Sequence, residues 1–212
     1  MVRPMTDRRD GTAVNQSATP WMIVLAGTTG SGKTTVALAL CRQLVGAEHL
    51  QSDMVRKQLA GLSPLARVAT SQLAGGIYSP EMTDSTYEAM NRRAAEALQL
   101  RKAVILDGSF RQKIRRQRAV AIAQSNGARV MIIECSIARA VQIERLAIRY
   151  STGASVSEGR PELLSWHERD WERVDDSEAD IVIRLDTGVP LDALEHLVAK
   201  SMETANVDVD WR

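Results

Sequence analysis

The chain is poor in the residue types that define several classes of protein. Its two cysteines, Cys41 and Cys135, are too few for a disulfide scaffold and are expected to be buried free thiols in a reducing compartment. Aromatic residues make up only 4% of the chain. Trp166 and Trp171 are therefore expected to pack in the core rather than to stack on nucleic-acid bases. The three histidines lack metal-ligand spacing and receive no predicted role.

Long apolar runs and excess charge are also missing. No run approaches the length that spans a membrane, and the N-terminus has no apolar leader core, so a cytoplasmic protein without membrane contact is expected. Lys and Arg number 27 against 26 Asp and Glu, which argues against a long nucleic-acid track. A local basic cluster remains, without a compensating acid, and it is either an anion-binding surface or a solvated helix face. Its members are Arg111, Lys113, Arg115, Arg116 and Arg118.

The length of 212 residues suits one domain. Residues 1–20 mix polar residues and prolines without periodicity, which is typical of a flexible tail. Residues 21–212 are then expected to form a single domain.

The most informative stretch begins at Trp21. Residues 21–26 form an apolar run typical of a buried strand, residues 27–34 match the phosphate-loop pattern G-x-x-x-x-G-K-[ST], and residues 35–45 have the pattern of a helix. Strand, loop and helix therefore follow one another in the order that binding of a nucleoside triphosphate requires.

Each residue type in the loop has a physical reason. Glycines at 27, 30 and 32 let backbone N–H groups turn toward an anion, while the helix N-terminus adds its dipole. Lys33 is expected to reach the β- and γ-phosphates, and the Thr34 hydroxyl to bind Mg²⁺. The predicted nucleotide-binding residues of the loop are Gly27, Thr28, Thr29, Gly30, Ser31, Gly32, Lys33, Thr34 and Thr35.

The rest of the chain alternates between predicted strands and helices. Four more strands are expected, at 48–51, 103–108, 129–135 and 180–185. The further helices are predicted at 52–61, 80–101, 111–125, 136–150, 161–174 and 190–204. Unbroken apolar strands separated by helices indicate an α/β fold with a five-stranded parallel sheet covered on both faces, a three-layer sandwich. Residues 62–78 and 151–160 have loop compositions and are expected to lie over an active site.

Several polar residues fall where such a sheet would bind its ligands. Asp107 ends an apolar strand, where an acid can position Mg²⁺, although it could instead cap the following turn. Asp53 and Arg56 share one helix face and could serve as a proton acceptor and its partner, or as a surface ion pair. Arg145 and Arg149, four residues apart, could stabilise transferred charge over the triphosphate or pair with nearby acids.

On these motifs the chain resembles the P-loop kinases of the group that includes zeta toxin, chloramphenicol phosphotransferase and the kinase domain of polynucleotide kinase. The matching segments are GTTGSGKT at 27–34, SDMVRK at 52–57, YSPEMTDSTY at 78–87, VILDGSF at 104–110, ERLAIR at 144–149 and LDTGVPLD at 185–192. The resemblance implies a fold similar to the nucleoside monophosphate kinases, with a lid at about 150–160.

The resemblance also implies roles for single residues. Asp53 would be the general base, and Arg56 would bind the acceptor or its phosphate. Arg145 would contact the adenine, Arg149 the phosphates, and the segment 186–189 would lie near the base. Gly108 replaces a bulkier residue of many relatives and is expected to leave more space for the acceptor.

The sequence thus predicts an ATP- and Mg²⁺-dependent kinase that phosphorylates a hydroxyl of a small molecule, for example an antibiotic, a sugar or a nucleoside. Two alternatives remain open. One is a kinase for the 5′-hydroxyl of a polynucleotide, which the Asp53–Arg56 pair and the basic cluster favour. The other is an ATP-dependent switch without an acceptor.

Overall fold

Five parallel strands form the centre of the protein in a computed structural model that describes residues 19–66, 75–152 and 161–207. The strands are β1 (Trp21–Ala26), β2 (Glu48–Gln51), β3 (Val104–Asp107), β4 (Arg129–Ser136) and β5 (Ile181–Asp186). Their order in the sheet is β2-β3-β1-β4-β5, and every neighbouring pair is parallel. The predicted five-stranded parallel sheet is confirmed.

Seven helices connect and cover the strands in the described part of the chain. They are α1 (Lys33–Gln43), α2 (Ser52–Leu59), α3 (Pro80–Gln99), α4 (Lys113–Ser125), α5 (Arg139–Thr152), α6 (Pro161–Arg169) and α7 (Leu191–Thr204). Local signals set several of their ends. The Ser79 hydroxyl accepts a hydrogen bond from the Met82 amide at the start of α3, with Pro80 in the first position. Gly127, with a φ of 65°, follows the end of α4.

The hydrophobic core lies on both faces of the sheet because side chains along β1 point alternately to opposite sides. Met22 and Val24 pack with residues of α3 and α4 on one face. Ile23 and Leu25 pack with residues of α1 and α7 on the other face. Since all six residues of β1 are buried, this strand is apolar throughout rather than alternating.

The structure corrects four details of the predicted elements. Helix α2 begins at Ser52 as expected but ends at Leu59 rather than near 61. Ser136 ends β4 and does not open the next helix, which begins at Arg139. Helix α6 ends at Arg169 rather than near 174, and Cys41 is only partly buried, whereas Cys135 is buried.

The predicted loop segments are described only in part. Residues 67–74 of the 62–78 segment and residues 153–160 of the lid segment lie outside the described ranges, as do residues 1–18 of the predicted tail. The first residues of the predicted lid segment are helical, because α5 continues through Thr152. Within the described ranges, no helix is long and apolar enough to cross a membrane.

The strand order determines where a ligand can bind. Asp107 at the end of β3 is level with Leu25 of β1 on one side and with Gln51 of β2 on the other. The segments that follow these three strands therefore meet at one edge of the sheet, the edge at which parallel sheets bind ligands.

Candidate active site

The phosphate loop follows β1 at this edge and needs its glycines for two reasons. Gly30 and Gly32 have φ values of 77° and 81°, in the left-handed region that favours glycine. Their missing side chains also make room for neighbours. A Cβ atom at Gly32 would lie 2.7 Å from the Thr187 hydroxyl, and one at Gly30 would lie 2.8 Å from Leu146 Cγ. The backbone shape expected of a phosphate loop is therefore present.

Residues far away in sequence hold the loop in place. The Gln142 side-chain amide of α5 donates hydrogen bonds to the Thr28 hydroxyl at 2.8 Å and to the Thr29 carbonyl at 2.5 Å. The Thr187 hydroxyl donates to the Ser31 carbonyl at 3.0 Å. Sequence analysis did not identify Gln142 or Thr187 in this role, because only the fold brings them to the loop.

Lys33 begins α1 and turns back over the loop. Its Nζ donates to the Thr28 carbonyl at 2.7 Å and lies 3.5 Å from the Ser31 hydroxyl. Burial lowers the pKa of the Lys33 ammonium, and the Asp107 carboxylate opposes that shift. A cation that is partly removed from water next to backbone amides is well placed to bind phosphate oxygens.

Thr34 and Asp107 lie together on the other side of Lys33. The Thr34 hydroxyl donates to Asp107 Oδ2 at 2.8 Å, and His49 Nε2 lies 3.4 Å from the same oxygen. Hydroxyl and carboxylate oxygens are the ligands Mg²⁺ prefers, so this pair fits the predicted metal role. In the described part of the chain, no three His, Cys, Asp or Glu side chains form a metal cluster, so phosphates and water would supply the other ligands.

The predicted base and its partner lie together at the start of α2. Arg56 Nε is 3.8 Å from Asp53 Oδ1. Arg56 is only 6% exposed, and its Nη1 donates to the Ile77 carbonyl at 3.0 Å and to the Thr83 hydroxyl at 3.1 Å. Its buried Nε has no hydrogen-bond partner in the described structure. The interpretation as a surface ion pair is wrong for Arg56, since its guanidinium is buried and aimed at the cleft.

The segment after β3 is shaped by packing. The Tyr87 hydroxyl accepts a hydrogen bond from the Phe110 amide at 3.2 Å and lies 3.1 Å from the Ser109 hydroxyl. A Cβ atom at Gly108 would lie 3.1 Å from the Phe110 ring and 3.3 Å from the Tyr87 hydroxyl. The space left by Gly108 is therefore taken by this protein's own side chains, and the expected extra room for the acceptor is not found there.

Several members of the basic cluster at 111–118 pair with acidic side chains. The prediction that the cluster has no compensating acid was therefore wrong. Arg116 is fully buried and binds Glu178 through Nε at 2.7 Å and Nη2 at 3.0 Å. Arg115 pairs with Asp84 at 3.0 Å. Arg111 Nε donates to Asp170 at 3.3 Å, and its guanidinium lies 4.2 Å from the centre of the Trp166 ring. These acids come from α3, from the end of α6 and from the segment before β5, so the sequence near the cluster did not reveal them.

Helix α5 presents its two predicted arginines to different parts of the site. Arg145 Nη2 donates to the Thr187 carbonyl at 3.1 Å, in the segment that the resemblance places near the nucleotide base. Arg149 lines the cleft beside the phosphate loop. Its charge also contributes to the lowered pKa of Lys33, after the dominant effect of burial. The roles of both arginines remain predictions.

Helix α6 supplies two residues to the cleft that the sequence did not suggest. Trp166 lines it rather than packing in the core, whereas Trp171 packs against the core as expected. His167 Nδ1 accepts a hydrogen bond from the Thr29 amide at 3.3 Å. Burial, together with the nearby cations Arg111 and Lys33, lowers the pKa of His167 to about 3. The imidazole is therefore neutral at physiological pH.

Most of the candidate site residues border one cleft. Its lining includes Lys33 with part of the phosphate loop, Asp53 and Arg56 of α2, and Asp107 at the end of β3. Arg111, Trp166 and His167 complete the wall from the direction of α6. The structure thus brings together the phosphate site, the metal pair and the predicted base.

Comparison with known proteins agrees with this arrangement. A family model described as an AAA domain, AAA_33, matches residues 22–168. The chain belongs to this family. Uncharacterized proteins of Mycobacterium bovis and Mycobacterium tuberculosis are 26% identical to this AAA domain protein over 157 residues. The aligned region covers 74% of this chain but only 31% of those relatives.

Solved structures similar to this AAA domain protein include several kinases. A sugar kinase from Janibacter is 16% identical with a TM-score of 0.64, covering 92% of this chain and 98% of that one. A gluconokinase from Sinorhizobium meliloti is 20% identical with a TM-score of 0.56, covering 88% and 96%. The APS kinase of Mycobacterium tuberculosis, solved with AMPPNP and APS, is 17% identical with a TM-score of 0.61, covering 87% and 98%. These likenesses establish the P-loop kinase fold; the narrower resemblance to the zeta toxin group remains a prediction.

Proposed function

We propose that the protein is an ATP-dependent phosphotransferase that moves the γ-phosphoryl group of ATP to a hydroxyl of a small-molecule acceptor. The observation that carries the proposal is that the phosphate loop and the Asp53–Arg56 pair line the same cleft. A kinase needs both halves, because the nucleotide and the acceptor must meet at one phosphorus atom.

In the proposed reaction, Asp53 accepts the proton of the acceptor hydroxyl. The hydroxyl oxygen forms a bond to the γ-phosphorus while the bond from that phosphorus to the ADP oxygen breaks, so the products are ADP and a phosphate monoester. Lys33 and Arg149 stabilise the negative charge on the transferring group. Thr34 and Asp107 would hold Mg²⁺, which would neutralise charge on the β- and γ-phosphates.

Arg56 is proposed to bind the acceptor. Its guanidinium is held by the Ile77 carbonyl and the Thr83 hydroxyl and lies 5.0 Å from the centre of the Tyr78 ring. The unpartnered Nε leaves one buried N–H donor beside Asp53, where an oxygen of the acceptor could accept it.

Removing the base tests the proposal. Asp53→Asn keeps the shape of the side chain but cannot accept a proton, so phosphoryl transfer should fall by about 10²- to 10⁴-fold while ADP binding is unchanged. Asp192→Asn, on the exposed first turn of α7, is the matched control and should retain full activity. Undiminished transfer by Asp53→Asn would show that another group is the base.

A second variant separates nucleotide chemistry from acceptor chemistry. Lys33→Ala should abolish both ATP hydrolysis and transfer, because it removes the cation at the phosphates. The acceptor itself is best sought with labelled ATP and a panel of sugars, sugar acids, nucleosides, adenylylated sulfates, aminoglycosides and oligonucleotides. The panel includes the substrate classes in the titles of the similar kinase structures.

The polynucleotide alternative has lost part of its support. The basic cluster that favoured it is largely paired with Asp84, Asp170 and Glu178. An oligonucleotide acceptor would still be recognised by affinity that weakens steeply with salt. An ATP-dependent switch, by contrast, would hydrolyse ATP without producing any phosphorylated acceptor from the panel.

A further inference from the structure

We propose that His167 is a substrate-contacting residue, which uses its Nε2–H group to bind an oxygen of the γ-phosphoryl group. The proposal deepens the proposed function, since it rests on nucleotide binding in the same cleft. It assigns a role to a residue in which the sequence showed no motif.

The hydrogen bond to the phosphate loop determines which ring nitrogen carries the proton. Nδ1 accepts from the Thr29 N–H, so in the neutral ring the proton is on Nε2. No hydrogen bond to Nε2 from the described residues is present, and the ring lines the cleft. The imidazole therefore offers one N–H donor to a ligand.

The position of this donor relative to the phosphates follows from one peptide group. The Thr28 carbonyl accepts from Lys33 Nζ at 2.7 Å, and the Thr29 N–H of the same peptide donates to His167 at 3.3 Å. Lys33 and His167 thus flank the same peptide. Both side chains also line the cleft, and the Lys33 charge contributes to the lowered pKa of His167. Because Lys33 of a phosphate loop reaches the β- and γ-phosphates, a terminal phosphate bound by Lys33 would lie in the same part of the cleft as the His167 ring.

Helix α6 is anchored so that the ring cannot easily move away. Arg111 packs over Trp166 at 4.2 Å and donates to Asp170 at 3.3 Å. The Glu172 amide donates to the Arg111 carbonyl at 2.9 Å, and Glu168 pairs with Arg139 of α5. The residues on either side of His167 therefore contact other parts of the fold: Trp166 packs against Arg111, and Glu168 pairs with α5. A donor held in this way loses little freedom when a phosphate binds.

Two substitutions separate the two ring nitrogens. His167→Asn places an amide oxygen near the position of Nδ1, so it can still accept from Thr29, but it has no group at the position of Nε2. His167→Gln places an amide nitrogen near Nε2 and can donate to the phosphate. His196→Asn, on the exposed face of α7, is the matched control.

The experiment is calorimetric titration of each variant with ADP and with AMPPNP, both with Mg²⁺. We expect His167→Asn to weaken AMPPNP binding about tenfold, as for one hydrogen bond to a charged group, and to leave ADP binding unchanged. His167→Gln should recover much of the loss, and His196→Asn should match the wild type. In ¹H–¹⁵N spectra of the imidazole, the Nε2 resonance should shift with AMPPNP and not with ADP.

Other outcomes overturn the inference in distinguishable ways. An unchanged ratio of AMPPNP to ADP affinity in His167→Asn, or an Nε2 resonance indifferent to AMPPNP, would show that His167 only supports the loop. If His167→Asn does not fold, the spectra of the wild type and the titration of His167→Gln decide the question. Failure of the wild type to bind either nucleotide would instead refute the proposed function, and this inference with it.

Discussion

Replacing Arg116 tests how the acceptor side of the cleft is built. Its side chain is fully buried and binds five acceptor atoms: two Glu178 oxygens and the backbone carbonyls of Phe110, Arg111 and Arg173. These contacts join the segment after β3 to the segment that precedes β5. Arg116 therefore fixes the backbone that carries Arg111 into the cleft.

The loss of stability expected for Arg116→Met depends on the buried groups that would lose their contacts with the guanidinium. The Glu178 side chain is 2% exposed. Burial acts to raise the pKa of Glu178, but hydrogen bonds from Arg116 and the Asp175 amide outweigh it and hold that pKa below its ordinary value. Without the guanidinium, the Glu178 carboxylate loses its ion-pair partner and three backbone carbonyls lose a donor. Breaking a buried ion pair of this kind costs about 3–5 kcal/mol, a large share of the stability of most domains.

Urea denaturation followed by tryptophan fluorescence measures the effect. We expect Arg116→Met to lower the free energy of unfolding by about 3–5 kcal/mol, and Glu178→Gln added to it to restore about 2 kcal/mol by removing the stranded charge. Arg118→Met, exposed on the same helix, should change stability by less than about 0.5 kcal/mol. A loss below about 1 kcal/mol for Arg116→Met, or a double variant no more stable than the single one, would refute the reasoning.

Three further predictions concern the cleft. Gly32→Ala should weaken AMPPNP binding at least tenfold in a calorimetric titration, because its φ of 81° and the Thr187 hydroxyl 2.7 Å away leave no room for a methyl group; wild-type affinity would contradict this. Thr34→Ala should reduce the gain in nucleotide affinity that Mg²⁺ provides, measured with and without the metal, and an unchanged gain would remove Thr34 from the metal site. His167 has a folded pKa of about 3, below its ordinary 6.5, so as pH falls the unfolded chain is protonated first and stability is lost below pH 6.5. In urea titrations from pH 7 to 5, the wild type should therefore lose up to about 1.4 kcal/mol per pH unit more than His167→Asn, and equal slopes would disprove it.

Most of the fold was predictable because its signals are local. Every strand except β2 is a short and mainly apolar run, and the Ser79-Pro80 and Asn126-Gly127 pairs mark helix ends through their own backbone preferences. The errors arose where two elements share a boundary. Ser136 has the chemistry of a helix cap, but pairing of β4 with β5 extends the strand to include it.

The site divides in the same way. The phosphate loop, Asp107 and the Asp53–Arg56 pair were found because their spacing is readable within a few residues. Gln142, Thr187 and His167 act on the loop from 113, 156 and 138 residues away, so only the folded chain reveals them. The same reason explains why the basic cluster was taken to lack acidic partners.

The phosphate loop is braced by the protein's own side chains from α5, from α6 and from the turn after β5. A nucleotide would therefore meet a cradle that is already formed, and little of its binding energy would go into ordering backbone. Association should therefore be fast, and nucleotides that differ in affinity should differ mainly in their dissociation rates.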